Sequence, residues 1–368
     1  MKIKDKHYTT IWVNPHNPSV VQTIDQRLLP FKFDILNLAC PDDFEMAISD
    51  MVVRGAPLIG VTAAYGIYIA TLSDLTGSRR KSYLKETAEK LLASRPTAVD
   101  LKNAVDRMMK EIEEYDDPKR QSVKALEIAE KIKNESIESS KTIGKYGLEL
   151  IENISKRKKG ITVNILTHCN AGWLACVDYG TATAPIYMAH DKGINVHVWV
   201  DETRPRNQGS RLTAFELGEH GIPHTVIADN TGGHLMQHGM VDMVIVGTDR
   251  TTRNGDAANK IGTYLKALAA KDNNIPFYIA LPSSTIDWNI FDGVKEIPIE
   301  TRSENEVKYI EGWNGKQIDD LLSMPYTSKA ANYGFDVTPG RLITGLITEK
   351  GICDANEKSL LQLFPEQN

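Results

Sequence analysis

Two side chains of the chain stand where acid–base or covalent chemistry could be done. Cys169 lies in Thr167-His168-Cys169-Asn170-Ala171-Gly172 and Asp249 in Gly247-Thr248-Asp249-Arg250, each just after a short apolar run. If those runs are parallel strands, both residues leave the sheet at its carboxyl edge, where ligands of open α/β sheets bind. A carboxyl partly desolvated at such an edge has a raised pKa and suits a general acid. The plainer reading of Asp249 is an ion pair with Arg250 or a turn cap. For Cys169 two environments compete: amides of a helix starting near Ala171 or Gly172 favour thiolate, and an apolar lid favours the neutral thiol. Cys176, in an apolar stretch, reads as a small buried hydrophobe. His168 is adjacent to Cys169, but neighbouring strand residues point to opposite faces, so no dyad is expected.

Cationic and amide groups gather around the same predicted edge. Arg54 interrupts the apolar run Met51-Val52-Val53-Arg54-Gly55-Ala56-Pro57, so it must meet an anion or solvent. Gly55 allows close backbone approach, and Pro57 suits the first turn of a helix. Arg95, before Pro96-Thr97, is a second arginine at a turn. Gln208 follows the second apolar run, and Asn259 and Lys260 are expected near the start of a helix, where amides and an ammonium suit a phosphate. Two arginines and a lysine match one phosphate ester, against the alternative of surface ion pairs. The chain carries no G-x-G-x-x-G, P-loop, H-E-x-x-H or G-x-S-x-G pattern, which disfavours a nicotinamide enzyme, an NTPase, a zincin and an α/β-hydrolase.

Three zones must position these groups. Residues 1 to about 58 hold short β-like runs that suit a small antiparallel sheet. From about 59 to 156 the pattern is helical: Ala125, Ile128, Ala129 and Ile132 recur at helical spacing, and Lys156-Arg157-Lys158-Lys159-Gly160 reads as a helix end. Beyond residue 160, β-rich runs at 161–166, 196–200, 224–228, 243–246 and 277–281 alternate with helix-length segments. This predicts an α/β fold with a doubly wound parallel sheet, and a division into 1–156 and 157–368.

Composition bounds the partners. The 368 residues are 41% hydrophobic and 25% charged, ordinary for a globular protein of about two domains. With 43 Lys plus Arg against 48 Asp plus Glu, the net charge of -5 excludes a general polyanion binder, so no nucleic-acid partner is expected. No apolar stretch is long enough to span a membrane, the first residues suggest no signal peptide, and four scattered cysteines form no disulfide or zinc pattern. The expected setting is the cytoplasm.

Residues 52–60, 94–99, 167–174, 201–217, 247–264 and 335–339 together resemble the signatures of the methylthioribose-1-phosphate isomerases, relatives of the regulatory subunits of translation initiation factor 2B. The run Asn254-Gly255-Asp256 followed by Asn259-Lys260-Ile261-Gly262-Thr263-Tyr264 is its most specific part. The resemblance implies an N-terminal small sheet with helices, a Rossmann-like C-terminal domain, a homodimer, and an aldose–ketose isomerase of methionine salvage with no metal or cofactor. It implies Cys169 and Asp249 as catalytic residues. It likewise implies Arg54, Gly55, Ala56, Arg95, Gln208, Asn259 and Lys260 as substrate contacts.

The sequence departs from the family pattern at Asp100 and Asn103, at Thr248, and at Ala184-Pro185-Ile186-Tyr187. If any of these line the pocket for the sugar 5-substituent, the preferred sugar differs, and the closest alternative is 5-deoxyribose 1-phosphate. A non-catalytic regulatory subunit of the initiation-factor type is the reading from another class, and the pairing of Cys169 with Asp249 argues against it.

Overall fold

The computed structural model describes residues 1–4, 6–95 and 99–367. Its centre is a seven-stranded sheet in the spatial order Gly351–Cys353, Gly345–Thr348, Phe277–Ala280, Met243–Val246, Val163–Thr167, Val196–Asp201, His224–Ile227. All neighbours are parallel except the edge strand Gly351–Cys353, which pairs antiparallel. Alternation along the central strand Met243–Val246 explains why its sequence is apolar throughout. Met243 and Ile245 enter one core, and Val244 and Val246 enter the other. A sheet buried on both faces needs apolar residues at every position. The first core holds Ile143 and Ile151 of one helix and Ile186 of another; the second holds Leu235, Met236 and Ala267. Helices therefore cover both faces, as a doubly wound sheet requires.

The strand order reverses between Val163–Thr167 and Met243–Val246, which are paired neighbours. From the first strand the chain winds outward one way through 196–201 and 224–227, and then returns to wind the other way. A crevice opens at that switch point beyond the strand ends. Cys169 and Asp249 follow the two strands that flank it.

The first half supplies a small sheet and a layer of helices. The strands Ile11–Val13, Val21–Ile24 and Ile35–Leu38 form the expected small antiparallel sheet, and α1 (Pro41–Ser49), α2 (Ala56–Ala70), α3 (Gly77–Ser94), α4 (Val99–Ile112) and α5 (Pro118–Arg157) follow. Every residue of α2 except Pro57 is buried, which suits a helix apolar all round. The 40-residue α5 joins both parts of the molecule. Ala125, Ile128 and Ala129 pack in the helical core, whereas Ile143, Ile151 and Ile154 pack on the parallel sheet. No helix among the described residues is long and apolar enough to cross a membrane.

Two features went beyond the pattern read in the sequence. The sheet gains Gly345–Thr348 and Gly351–Cys353, and a second four-stranded sheet forms from Ile286–Asp287, Arg250–Thr252, Ala257–Lys260 and Phe335–Thr338. The latter strands are two to four residues long and lie far apart in the chain, so local periodicity does not reveal them.

Candidate active site

Cys169, Asp249, Arg54, Gly55 and Ala56 line one cavity, together with Arg95, Gln208, Asn259 and Lys260. All nine residues singled out from the sequence thus meet in one place. Each is held there by a local device.

Cys169 is nearly buried and adopts a left-handed backbone, φ 67°. Its N–H donates to Thr203 Oγ1 at 2.9 Å, and its carbonyl accepts from Thr213 Oγ1 at 2.7 Å. A non-glycine residue in that region costs on the order of 1–3 kcal/mol and persists only when its surroundings over-determine it. The expected helix at Ala171 or Gly172 is absent; a three-residue 3-10 turn, Trp173–Ala175, stands there, and α6 (Ala184–Asp191) starts later. What faces the sulfur instead is Arg54, whose Nη2 lies 3.5 Å from Cys169 Sγ while its Nη1 donates to Asn170 Oδ1 at 3.1 Å. His168 turns away from the cavity: its ring nitrogens bond Asp201 Oδ2 at 2.8 Å and the Ile261 carbonyl at 2.9 Å.

Asp249 keeps some surface open to the cavity yet lies deep in the protein, and burial raises its carboxyl above the ordinary value. Lys260, Arg95 and Arg54 oppose that rise, and Glu300 adds to it. Arg250 turns elsewhere, with Nη1 3.5 Å from Asp287. Burial lowers the Lys260 ammonium, with Cys169 and Asp249 pulling it back up. Lys260 Nζ also sits 4.5 Å from the centre of the Phe335 ring.

Asn259 and Lys260 do not occupy a helix start. They lie in the strand Ala257–Lys260, opposite Asp336 and Phe335, and the next helix begins at Thr263. Its first amides are already taken, because Gly262 and Tyr264 N–H groups donate to Asp336. Side chains, not helix amides, therefore present the positive charge.

Arg95, by α3's end, has Nη2 3.7 Å from Glu300 Oε2, and burial lowers its guanidinium. Among the described residues, its Nε and Gln208 Oε1 are buried without a hydrogen-bond partner. Pro96, Thr97 and Ala98, the rest of that motif, lie outside the described residues. Gly209 lets the Gln208 loop fold back over the strand end, since a Cβ there would stand 1.7 Å from the Asp201 carbonyl oxygen.

Asn170, Cys176 and Phe335 also line the cavity. Asn170 sits beside the expected cysteine, and only its hydrogen bonds distinguish it. Burial pushes the Cys176 thiol up to about 12, so it serves as a neutral wall. Among the described residues, His168, Asp201 and Asp229 could together approach a metal. Asp201 already holds the Lys266 ammonium at 3.1 Å, and both His168 nitrogens are engaged, so a cation's place is filled.

The departures from the family pattern fall in three places. Thr248 lines the cavity, but its hydroxyl reaches the Ala258 carbonyl at 2.7 Å. Asp100 and Asn103 line a neighbouring cavity that shares Pro57 and Pro282 with the first. Burial pushes the Asp100 carboxyl up to about 6. Pro185 packs against Gly147 of α5, away from both cavities.

Residues 52–355 match the model of the initiation factor 2 subunit family. The chain belongs to that family. Within it the chain is 58% identical to methylthioribose-1-phosphate isomerase of Desulfatibacillum aliphaticivorans and 56% identical to that of Sinorhizobium medicae (strain WSM419), over the full length of both chains in each case. Among solved members of the family, 5-methylthioribose 1-phosphate isomerase from Pyrococcus horikoshii OT3 is 36% identical, with a TM-score of 0.85 over 98% of this chain and 97% of that one. The delta subunit of translation initiation factor eIF-2B from A. fulgidus is also 36% identical, with a TM-score of 0.80 over 98% and 100%.

Proposed function

We propose that the protein is an aldose–ketose isomerase that converts 5-methylthioribose 1-phosphate to 5-methylthioribulose 1-phosphate in methionine salvage. The observation that carries this reading is the meeting of a thiol, a buried acid and three cations in one cavity at the switch point, in a chain similar over its whole length to enzymes of that name.

The substrate's chemistry asks for these groups. A phosphate on the anomeric oxygen prevents the simple ring opening of a free aldose. An acid must protonate the ring oxygen so that its bond to C1 breaks while the phosphate stays on C1. Asp249, whose carboxyl burial raises above its ordinary value, is the acid placed to supply that proton. Arg54, Arg95 and Lys260 answer the phosphate charge, with Gln208 and Asn259 as amide partners and Gly55 and Ala56 as close backbone walls. Hydrogen then passes from C2 to C1, and the C2 hydroxyl gives up its proton to become the ketone. In one route Cys169 takes the C2 hydrogen as a proton and returns one to C1; in the other it migrates directly as hydride beside Cys169. Turnover in D2O separates the two, because only the first introduces deuterium at C1.

The reading extends to assembly and setting. We infer a homodimer formed through the hairpin Tyr309–Trp313 and Ile318–Leu322, where Trp313, Leu321 and Leu322 are exposed and Phe31 stacks on Trp313 at 5.6 Å. Light scattering on wild type and Trp313→Asp tests it. All four cysteines are unpaired, in keeping with a reducing cytoplasm. The units 1–156 and 157–368 share the cavity, the first contributing Arg54, Gly55, Ala56 and Arg95 and the second Cys169, Gln208, Asp249, Asn259 and Lys260.

The deciding experiment offers equal amounts of 5-methylthioribose 1-phosphate and 5-deoxyribose 1-phosphate to one sample and follows both ketoses by NMR, with Cys169→Ser and Asp249→Asn alongside. Preference for the methylthio sugar and loss in both variants is the expected result. Preference for the deoxy sugar moves the substrate assignment, and turnover of neither overturns the isomerase reading.

A further inference from the structure

Glu216, on the short helix Ala214–Glu219, is buried and does not line the cavity. Its Oε2 accepts from the Tyr187 hydroxyl at 2.7 Å. Its Oε1 accepts from the Leu174 N–H at 2.8 Å and from Asn170 Nδ2 at 3.1 Å. Gly172 makes room for it, since a Cβ there would stand 1.6 Å from Glu216 Oε2. A fully buried carboxyl at this depth, pushed up to about 7 by burial, is costly to retain without a use.

The hydrogen bonds show what it orients. Asn170 Nδ2 is drawn to Glu216 Oε1 and to Thr213 Oγ1, both at 3.1 Å, so its carbonyl oxygen must face the other way. That oxygen accepts from Arg54 Nη1, and Arg54 Nη2 meets the Cys169 sulfur. Flipping the amide would set oxygen against carboxylate and NH2 against guanidinium, two repulsive contacts at once. We propose that Glu216 is a positioning residue for the isomerase reaction: through the Asn170 amide it holds the Arg54 guanidinium against the Cys169 sulfur. The role rests on the functional reading above and names a residue outside the cavity on which that reading depends.

The test uses full-length Glu216→Gln, Glu216→Leu, Asn170→Ala and the Glu216→Leu/Asn170→Ala double variant, each checked for a cooperative melt. Two quantities are measured: kcat and KM for the sugar phosphate, and the rate of Cys169 alkylation by iodoacetamide from neutral to alkaline pH, with mass spectrometry assigning the modified cysteine. Glutamine keeps an acceptor for Asn170, so kcat within about three-fold of wild type is expected. Leucine removes it, and a fall of roughly 10–100-fold in kcat is expected, as for outer partners of a reacting group, with a shifted alkylation profile. On the Asn170→Ala background Glu216→Leu adds nothing, because the two act in series. A folded Glu216→Leu with wild-type kcat and profile overturns the proposal, and so do fully additive losses. Should Glu216→Leu not fold, Asn170→Ala carries the test, and a wild-type profile there overturns it. The alkylation profile needs no substrate, so the relay is decided even if the wild type isomerises neither sugar.

Discussion

Gly55→Ala should damage the site from its rim without touching a reacting group. Gly55 has φ 90° and ψ 137°, outside the left-handed helical region, where a non-glycine residue costs roughly 1–3 kcal/mol. Its new Cβ would lie 2.3 Å from the Ala175 carbonyl oxygen, 2.5 Å from Ala175 Cβ and 2.6 Å from Ala175 Cα. Two of these are backbone atoms, so no side-chain rotation relieves the overlap, and overpacking of this kind costs about 1–3 kcal/mol more. Relief requires the Arg54–Gly55 turn and the Trp173–Ala175 turn to part by about 1 Å, a displacement that typically costs on the order of 100-fold in rate. Arg54 is carried on one of those turns and Cys169 leads into the other, so their contact of 3.5 Å opens. The assay is kcat/KM by NMR detection of the ketose, with thermal unfolding followed by circular dichroism. Gly77→Ala is the control: it also has φ above zero, 58°, but nothing among the described residues lies within 4 Å of its Cβ, so strain is present without overlap and activity should hold. Wild-type kcat/KM in a folded Gly55→Ala would refute the argument that this close approach sets the site.

Asp249→Asn is expected to lower kcat by about 10²–10⁴-fold with little change in KM, the range for loss of a general acid. Because burial raises the Asp249 carboxyl and its neutral form is the active one, wild-type kcat should decline as pH rises through that value; a steady rise toward alkaline pH would exclude the acid role. Lys260→Met should raise KM about 10–100-fold through loss of a charge-assisted phosphate contact, and an unchanged KM would remove the phosphate from Lys260. Glu216 and Asp100 titrate in the fold at about 7 and about 6, above their ordinary 4.5 and 3.8, so both bind protons more tightly folded than unfolded. Their stabilisation is complete below the ordinary values and is lost as pH rises through 6 and 7, roughly 3 kcal/mol each in order of magnitude. Wild type should therefore melt lower at pH 8 than at pH 5, and Glu216→Gln should flatten that slope; identical slopes would count against a titrating Glu216.

Much of the site was legible because the strands that carry it are rich in Val, Ile and Leu, with Met243–Val246 apolar throughout, and polar clusters after such runs have few structural reasons to be there. Cys169, Gln208 and Asp249 follow three of them. The strands of the second sheet were not legible, since Ala257–Lys260 pairs with Phe335–Thr338 across more than seventy intervening residues. That pairing puts Asn259 and Lys260 in a strand just before the helix, whose Gly262 and Tyr264 amides are bonded to Asp336. The edge strands 345–348 and 351–353 were missed for the same reason: short segments give periodicity too little length to register.

The sequence by itself determined the chemistry available and its order along the chain: one thiol, one acid and the cations, each next to a strand or a helix start. Only the tertiary structure decided that Arg54 from the first half meets Cys169 from the second, that Asn170 presents its oxygen to Arg54, and that Glu216 stands behind it. These contacts span 115, 116 and 46 residues, and partners at such separations are chosen by packing and hydrogen-bond satisfaction in the folded state, which no local pattern encodes.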